Sequence, residues 1–182
     1  APHLVVAVSI LLLLSPSGFL SRLCSSLGII SSSSSFPLLV NDQFGISILT
    51  VYVWKEVPFI TFMLLSVLKN MGSELIEVGT TLGSSASQRF RYIILPVISP
   101  SLGAASLIVF AFTFGSFEVP YLLGRTYPVL LPVQAYKKFS DVDLIARPEG
   151  IATGLILAGI VIVSILLSQL INNLGKKRNT LS

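Results

Sequence analysis

Residues 150–174 read GIATGLILAGIVIVSILLSQLINNL, an apolar stretch that contains no charged side chain. A helix needs about 20 consecutive apolar residues to cross the hydrocarbon core of a bilayer, so this stretch predicts a membrane-spanning helix. Towards the N terminus, similar segments occur at about residues 97–123, 44–68 and 4–20, of which the last is only just long enough to span. The sequence therefore predicts four spans.

The composition of the chain agrees with a membrane protein. Of its 182 residues, 53% are hydrophobic and only 11% are charged, and the mean hydropathy is +0.87, which is too apolar for an ordinary soluble domain. Backbone amides cannot stay unpaired in hydrocarbon, and the segments lack the polar alternation of barrel strands, so all four are predicted to be helices. We predict an all-α integral membrane fold, formed as a single transmembrane domain over residues 1–182.

The same composition argues against catalysis and nucleic-acid binding. The 12 basic and 8 acidic residues give a net charge of +4, but the basic residues form no basic helix face. Cys24 and His3 are the only residues of their types, so the chain lacks the parts of a thiolate cluster, a histidine metal site or a Ser-His relay. The sequence contains no G-x-x-x-x-G-K-[ST] motif to hold ATP phosphates. We predict a non-catalytic chain without a metal ion or cofactor.

The start of the sequence indicates an N-terminally incomplete chain. It begins at Ala1 rather than at methionine, and its first apolar run, residues 4–14, is short for a complete span. A cleaved signal peptide is the alternative, but no basic region precedes the apolar run.

The connection between the second and third spans, residues 69–96, has a helix–turn–helix pattern that breaks at Gly83. Ser73 is predicted to cap the first helix, with a glutamate in the opening turn where the helix dipole favours it. Ser85 and Gln88 fit the S-x-x-Q capping box of a second helix. That helix runs to a Leu-Pro pair, where the proline ends it or starts the next span.

Residues 77–96 read EVGTTLGSSASQRFRYIILP, and here the chain resembles the permease subunits of binding-protein-dependent ABC importers. The cytoplasmic signature of that family is E-A-A, three residues, G, nine residues and I-x-L-P. Its five fixed positions outside the alanines are occupied by Glu77, Gly83, Ile93, Leu95 and Pro96. Val78 and Gly79 stand where the family usually has alanines, and a glycine inside a helix costs up to about 1 kcal/mol relative to alanine.

This resemblance implies the helical bundle of type I ABC importer permeases, in which residues 69–96 form a coupling loop that docks on a separate ATPase. Glu77 would face the ATPase or bond to a basic residue that holds the loop, and Gly83 would supply the turn. Ile93, Leu95 and Pro96 would attach the loop to the third span. The implied partners are a cytoplasmic ABC ATPase dimer, a second permease subunit, a periplasmic or extracellular substrate-binding protein and the lipid bilayer.

Basic residues indicate the orientation of the chain. The coupling loop and the C-terminal cluster contain Lys69, Arg89, Arg91, Lys176, Lys177 and Arg178. Because cytoplasmic loops are enriched in Lys and Arg, this side and the C terminus are predicted to be cytoplasmic, which makes residues 124–149 an external loop. The opposite side holds nearly as many basic residues, namely Arg22, Arg125, Lys137, Lys138 and Arg147. The resemblance implies a bacterial inner-membrane location.

Three ionisable residues are candidates for the translocation pathway or its gate. Lys55 and Glu56 are adjacent within the second span, where such side chains normally face a bundle interior or water. Glu118 is near the external end of the third span, where a carboxylate attracts a cation or holds an outer gate. The alternatives are a helix that is broken or shallow near Pro58, and an interfacial Glu118 that fixes the depth of the span.

The stretch around Glu118 also bears on the substrate. Residues 115–120, GSFEVP, resemble the spermidine/putrescine branch of the family, which implies a small polar substrate such as a polyamine. Ferric-iron, phosphonate and thiamine importers share similar sequence, so these substrates remain alternatives.

Two other classes of protein compete with the importer. A gradient-driven secondary transporter or channel predicts inverted repeats, and no convincing internal repeat is visible. A non-transporting membrane scaffold leaves the signature unexplained. In the fourth span, Gly150, Gly154 and Ala158 recur every four residues and predict a face that packs closely against another helix.

Overall fold

The computed structural model describes residues 2–32 and 35–179, with residues 171–179 described through their backbone only. Regular structure in this part of the chain is entirely helical, as predicted. The α-helices are α1 His3–Leu14, α2 Phe19–Ser26, α3 Ile46–Met71, α4 Glu74–Thr81, α5 Ala86–Arg89, α6 Leu95–Gly115, α7 Glu118–Leu123, α8 Leu131–Phe139 and α9 Arg147–Asn179. A π-helical turn, Phe90–Ile94, joins α5 to α6, and a 3₁₀ turn, Leu144–Ala146, precedes α9.

In the part of the chain that the structure describes, four helical stretches are long and apolar enough to cross a membrane, which confirms the predicted number of spans. They are His3–Ser26, Ile46–Met71, Ala86–Gly115 and Leu144–Leu170. Little of these helices is buried within the protein: in the most apolar 18-residue stretch of α3, only 6% is buried. Their apolar surface is therefore available to lipid or to a partner subunit.

The first predicted span, residues 4–20, falls on two helices instead of one. α1 ends at Leu14, and Ser15 is extended (φ −66°, ψ 153°), as expected for a residue before a proline. Pro16 has no N–H to continue the helical ladder. A Cβ atom at Gly18 would lie 2.6 Å from the carbonyl oxygen of Leu12, so only glycine allows the chain to turn back this closely.

The other spans agree with the prediction in position and differ at their ends. α3 and α9 occupy the predicted segments 44–68 and 150–174, and the α9 backbone continues past the predicted end. The segment 97–123 is split, because α6 ends at Gly115 and α7 begins only at Glu118. Glycine and serine at the break favour helix interiors weakly.

Contacts between Cα atoms divide the chain into two compact units. One unit consists of Ala1–Val53 and Ala111–Ser182, and the other is Trp54–Phe110. Helices α1 and α7 pack together in the first unit, around the buried core residues Ala7, Val40, Val51, Val119 and Leu123. The single permease domain over 1–182 stays a prediction.

In the first unit, an Asn-Asp pair joins the start of α3 to the end of α7. Asp42 is 8% exposed, and its two carboxylate oxygens accept the backbone N–H groups of Phe44 and Ile46, each at 2.9 Å. The carboxylate thus satisfies the amide of the first residue of α3, which has no partner within the helix. The N–H of Asn41 donates to the carbonyl of Leu123 at 3.0 Å.

Removing the Asp42 carboxylate tests this cap. We expect Asp42→Ala to lower the free energy of unfolding by about 1–2 kcal/mol, the usual cost of losing a helix cap. The apparent melting temperature of the detergent-solubilised protein should fall by roughly 2–8 °C. The melting temperature of Asp42→Asn, which keeps an oxygen acceptor, should fall less. Gln43→Ala at the exposed neighbouring position is the control. An unchanged melting temperature in Asp42→Ala would contradict the cap.

Candidate functional site

The candidate site is residues 74–96 in the second unit, called the coupling segment from here on. Its first helix, α4, ends at Thr81, and Gly83 then adopts a left-handed conformation with φ +77°. Its N–H donates to the carbonyl of Thr80 at 2.9 Å. A residue with a side chain is strained at this φ, so glycine is the residue that ends α4 and turns the chain. The predicted helix–turn–helix and the turn at Gly83 are confirmed.

The two predicted helix caps have different outcomes. The capping box is confirmed, because Ser85 Oγ accepts the N–H of Gln88 at 3.3 Å and Gln88 Oε1 accepts the N–H of Ser85 at 2.8 Å. The Ser73 side-chain cap is wrong. Ser73 is in the helical region (φ −87°, ψ −16°), and its carbonyl, not its hydroxyl, accepts the N–H groups of Ile76 and Glu77. A side-chain cap normally requires an extended residue at this position.

The coupling segment has two arms: the first is α4, and the second is α5 with the π turn that follows it. Gly79 is the contact between the two arms. It is the buried residue of α4, and a Cβ atom there would lie 2.9 Å from Ile93 Cδ1 and 3.2 Å from Ser84 Oγ. Ser84 Oγ donates to the Gly79 carbonyl at 2.6 Å, and Arg89 Nη1 donates to the Ser84 carbonyl at 2.5 Å. From the sequence, glycine instead of the family's alanine at position 79 was expected only to weaken the helix. In the structure it permits close packing of α4 on the second arm.

The second arm of the coupling segment continues into the third span without a break. The N–H of Leu95 donates to the carbonyl of Phe90, which is the five-residue spacing of a π turn. Pro96 is the second residue of α6 and lies inside a continuous helical stretch, Ala86–Gly115, so it does not end the helix. In a regular helix the Pro96 ring would clash with the carbonyl of Tyr92, four residues earlier. Tyr92 lies within the π turn, where the helix is wider.

The outer face of α4 is exposed and apolar. Leu75, Val78 and Leu82 are 50%, 58% and 81% exposed, and their spacing places them along one side of the helix. Glu74 and Glu77 lie in the first turn of α4, and both are exposed. Among the described residues, no basic group lies within 4.0 Å of the Glu77 carboxylate. Its two predicted roles stay predictions.

Lys55 and Glu56 lie in the part of α3 that belongs to the second unit. The helix continues through Pro58, so it is not broken there, and both side chains are half-buried. Lys55 is about 14 Å along the axis from the start of α3, at a rise of 1.5 Å per residue. This is roughly half of the hydrocarbon thickness of ~30 Å. Their role in a pathway stays a prediction.

Glu118 begins α7 in the first unit and is exposed. The preceding residue, Phe117, stacks on Tyr136, with ring centroids 4.1 Å apart and an interplanar angle of 12°. Tyr121 meets Tyr136 edge-on at 5.9 Å, and Lys137 Nζ lies 5.8 Å from the centre of the Tyr121 ring. This aromatic cluster was missed from the sequence, because it requires α8, which was expected to be part of a loop. The gate role of Glu118 stays a prediction.

Helix α8 packs on the start of α9 through Gly150. A Cβ atom at Gly150 would lie 2.7 Å from the backbone nitrogen of Phe139, so the two backbones touch. Gly154 has open space instead, and it lines a cavity of about 550 Å³ in the first unit. Lys138 Nζ bonds Glu149 Oε2 at 2.8 Å, and this bond raises the pKa of Lys138 above its ordinary value.

Comparison with known proteins identifies the class. Over residues 1–179 the chain matches the family described as the inner membrane component of binding-protein-dependent transport systems. The chain belongs to this family. It is therefore a multi-pass membrane transport component, as the signature and the four apolar helices predicted.

Three relatives illustrate the similarity. The chain is 31% identical to the inner membrane ABC transporter permease protein YdcU of Escherichia coli (strain K12) over 86 residues, which cover 47% of this chain and 27% of the relative. It is 30% identical to the spermidine/putrescine transport system permease protein PotB of Haemophilus influenzae over 115 residues, which cover 63% of this chain and 38% of the relative. It is 24% identical to the molybdenum transport system permease protein ModB of Azotobacter vinelandii over 170 residues, which cover 92% of this chain and 71% of the relative. The chain spans less than half the length of the first two relatives.

Substitutions at Gly79 test the contact between the arms. We expect Gly79→Ala to be tolerated, because Ile93 can rotate its terminal methyl away and alanine gains up to about 1 kcal/mol of helix propensity. Gly79→Val places a branched side chain against Ser84 and should separate the arms. The readout is hydrogen exchange of the Ser84 amide, which donates to the Gly79 carbonyl at 3.1 Å.

We expect slow exchange in the wild type and in Gly79→Ala, and fast exchange in Gly79→Val. Thr80→Val makes a β-branched valine at the exposed neighbouring position and should leave the exchange unchanged. Slow exchange in Gly79→Val would contradict the proposed packing.

Proposed function

We propose that this chain is a permease subunit that forms half of the translocation pathway of an ABC importer and is coupled to ATP hydrolysis by a separate ATPase subunit. The family assignment supports a transport permease, and the sequence contains no P-loop of its own. Its partners would be an ABC ATPase dimer, a second permease subunit and a substrate-binding protein.

The observation that carries this proposal is the exposed apolar face of α4, formed by Leu75, Val78 and Leu82. An amphipathic helix that presents residues at this spacing to solvent is suited to a hydrophobic groove on another protein. The carboxylates of Glu74 and Glu77 flank the face, so a groove with basic residues at its rim would be complementary. We assign this groove to the ATPase.

The contacts of Gly79 suggest how movement of α4 at the groove would reach the membrane. Gly79 and Ser84 hold α4 on the second arm, and the second arm is continuous with α6. A displacement of α4 would therefore be passed to the third span along a helix instead of a flexible loop.

The orientation belongs to the same proposal. An ATPase that binds the coupling segment must be cytoplasmic, and Lys69, Arg89 and Arg91 agree with a cytoplasmic location. The C terminus would then lie on the same side. The side chains of its basic cluster, residues 176–178, lie outside the described side chains.

Coupling is tested by substitutions on α4 and at the turn, in the full-length permease purified with its ATPase. Leu82→Glu and Glu77→Lys alter the docking face, and Gly83→Pro prevents the left-handed turn. We expect each to reduce ATPase copurification and substrate-stimulated ATP hydrolysis. A central apolar contact is worth about 2 kcal/mol, which is roughly thirtyfold in affinity.

Val142→Glu is the matched control, because Val142 is 97% exposed and lies outside the coupling segment. It should leave both measurements unchanged. If assembly and ATP hydrolysis survive all three changes in the coupling segment, the segment does not transmit ATP hydrolysis, and gradient-driven transport becomes the better hypothesis.

For the substrate, we propose a small organic cation of the polyamine type. The similarity to PotB supports this class, and Glu118 supplies an exposed carboxylate. The adjacent rings of Tyr121 and Tyr136 offer faces that attract an ammonium group, and Lys137 already places one near Tyr121.

An oxyanion is the second candidate substrate. The similarity to the molybdenum permease ModB favours it, and so do the exposed cations Arg125 and Lys137 in residues 124–149. The family assignment leaves the gradient-driven transporter and the non-transporting scaffold without support.

Paired neutralising substitutions distinguish the two substrates. In proteoliposomes that contain the complete importer, Glu118→Gln should lower the uptake of spermidine or putrescine several-fold, because a cation loses about 1 kcal/mol of attraction at a partly solvated carboxylate. Arg125→Gln, the control, should leave polyamine uptake unchanged or raise it. Stimulation of ATP hydrolysis by molybdate and not by polyamines would overturn the polyamine assignment while leaving the permease assignment intact.

A further inference from the structure

Helices α7 and α8 bring two tyrosine rings and one ammonium group together in the first unit. One face of the Tyr136 ring is covered by Phe117, with ring centroids 4.1 Å apart. Tyr121 meets Tyr136 edge-on and is 54% exposed. Lys137 Nζ lies 5.8 Å from the centre of the Tyr121 ring, within the distance of about 6 Å at which a cation and an aromatic ring attract each other. The ring of Tyr121 is thus already occupied by a cation of the protein itself.

The two lysines of α8 are held differently. Lys138 Nζ bonds Glu149 Oε2 at 2.8 Å. Lys137 is exposed, and among the residues that the structure describes no carboxylate lies within 4.0 Å of its ammonium group. An exposed contact between a cation and a ring is weak, and a lysine side chain regains considerable rotamer freedom when it moves into solvent. The Lys137 ammonium is therefore held at the ring loosely enough for another cation to replace it.

A carboxylate lies beside the same ring. Glu118 and Tyr121 are three residues apart in α7, which places them on one side of the helix. Glu118 is exposed, and in the described part of the chain no basic group lies within 4.0 Å of its carboxylate. Lys137 therefore contacts the ring but forms no ion pair with the carboxylate, whereas a molecule with two ammonium groups has one for each. A diamine thus gains a contact that the lysine lacks.

We infer that Lys137 is an internal competitor for the cation site formed by Glu118, Tyr121 and Tyr136. Its ammonium takes the position over Tyr121 that an ammonium group of the substrate needs, so the substrate binds only when the lysine moves out into solvent. This inference rests on the polyamine substrate proposed above. Molecules in which Lys137 lies on the ring are unavailable to substrate, and their fraction lowers the apparent affinity. A site on a transport pathway must also release its substrate, and the returning lysine assists that release.

The competition is tested by the binding of radiolabelled spermidine to the full-length permease, purified with its ATPase and without the substrate-binding protein. We expect Lys137→Gln to tighten binding about two- to fivefold, the range that an exposed contact between a cation and a ring supports. Lys137→Arg should keep the wild-type affinity, because a guanidinium also lies over aromatic rings. Lys138→Gln is the matched control: it removes the same charge from the neighbouring residue and should change binding less.

Displacement of the lysine has a direct readout in the same complex, labelled with carbon-13 at the ε-carbons of its lysines. A ring current moves protons above a ring face upfield, so the ε-proton signals of Lys137, assigned by their loss in Lys137→Arg, should lie upfield of those of Lys138. Saturating spermidine should return the Lys137 signals to the position of a solvated lysine and leave those of Lys138 in place. Lys137 signals that do not move at saturation would show that spermidine and the lysine do not share a position, which overturns the inference.

The ring itself is tested in a Tyr121→Leu background, where Lys137→Gln should no longer tighten binding because the lysine has no ring to occupy. Equal affinities in the wild type and Lys137→Gln would overturn the inference, and so would equal tightening by Lys138→Gln, which would show a general repulsion between charges. If the complete importer still transports spermidine in either case, the proposed substrate stands. If spermidine binds to none of the variants, the proposed substrate and the inference both fail, and the permease assignment is unaffected.

Discussion

Hydrocarbon offers no hydrogen-bond partner to a peptide group, so every polar group of a span must find its partner within the protein. In α3 the serine and threonine hydroxyl groups show how this is achieved. Each donates to a backbone carbonyl at 2.7–3.5 Å, either one turn earlier in the helix or at the end of α7: Thr50 to Ile46, Thr61 to Val57, Ser66 to Phe62 and Ser47 to Leu123. These serine and threonine side chains are thereby satisfied, and the helix stays continuous through Pro58.

The coupling segment distributes its contacts in the opposite way to a helical hairpin of a soluble protein. Hydrogen bonds around Gly79 and Ser84 hold it together, while Leu75, Val78 and Leu82, on the neighbouring side of α4, stay exposed. Exposed apolar surface of this kind is unfavourable in water and is normally covered by a partner. These polar contacts keep the segment folded while its apolar face stays exposed, as the proposed docking on an ATPase requires.

The predictions that succeeded depend on local sequence. Span number follows from apolar length, and the capping box at Ser85 follows from residues three positions apart, so neither requires tertiary structure. The features that failed depend on backbone conformation or on distant contacts. Ser73 has the right residue type for a cap but a helical φ and ψ. Gly79 reads as a weak point in α4 until Ile93, distant in sequence, is placed against it. The α8 helix, which brings Tyr136 to Phe117, lies in a segment too short and polar to signal a span.

The coupling segment is attached to the two spans beside it in different ways, and the difference bears on how it would act. At its N-terminal side, α3 ends at Met71, and Gly72 follows with φ +74° and open space around its Cα. At its C-terminal side, the helix continues through the π turn into α6, and Gly79 holds α4 against that same arm. A glycine in open space resists rotation weakly, whereas a continuous helix transmits displacement along its axis. In the proposed function, movement of α4 would therefore be passed mainly to the third span, while the joint at Gly72 would allow α3 to remain in place.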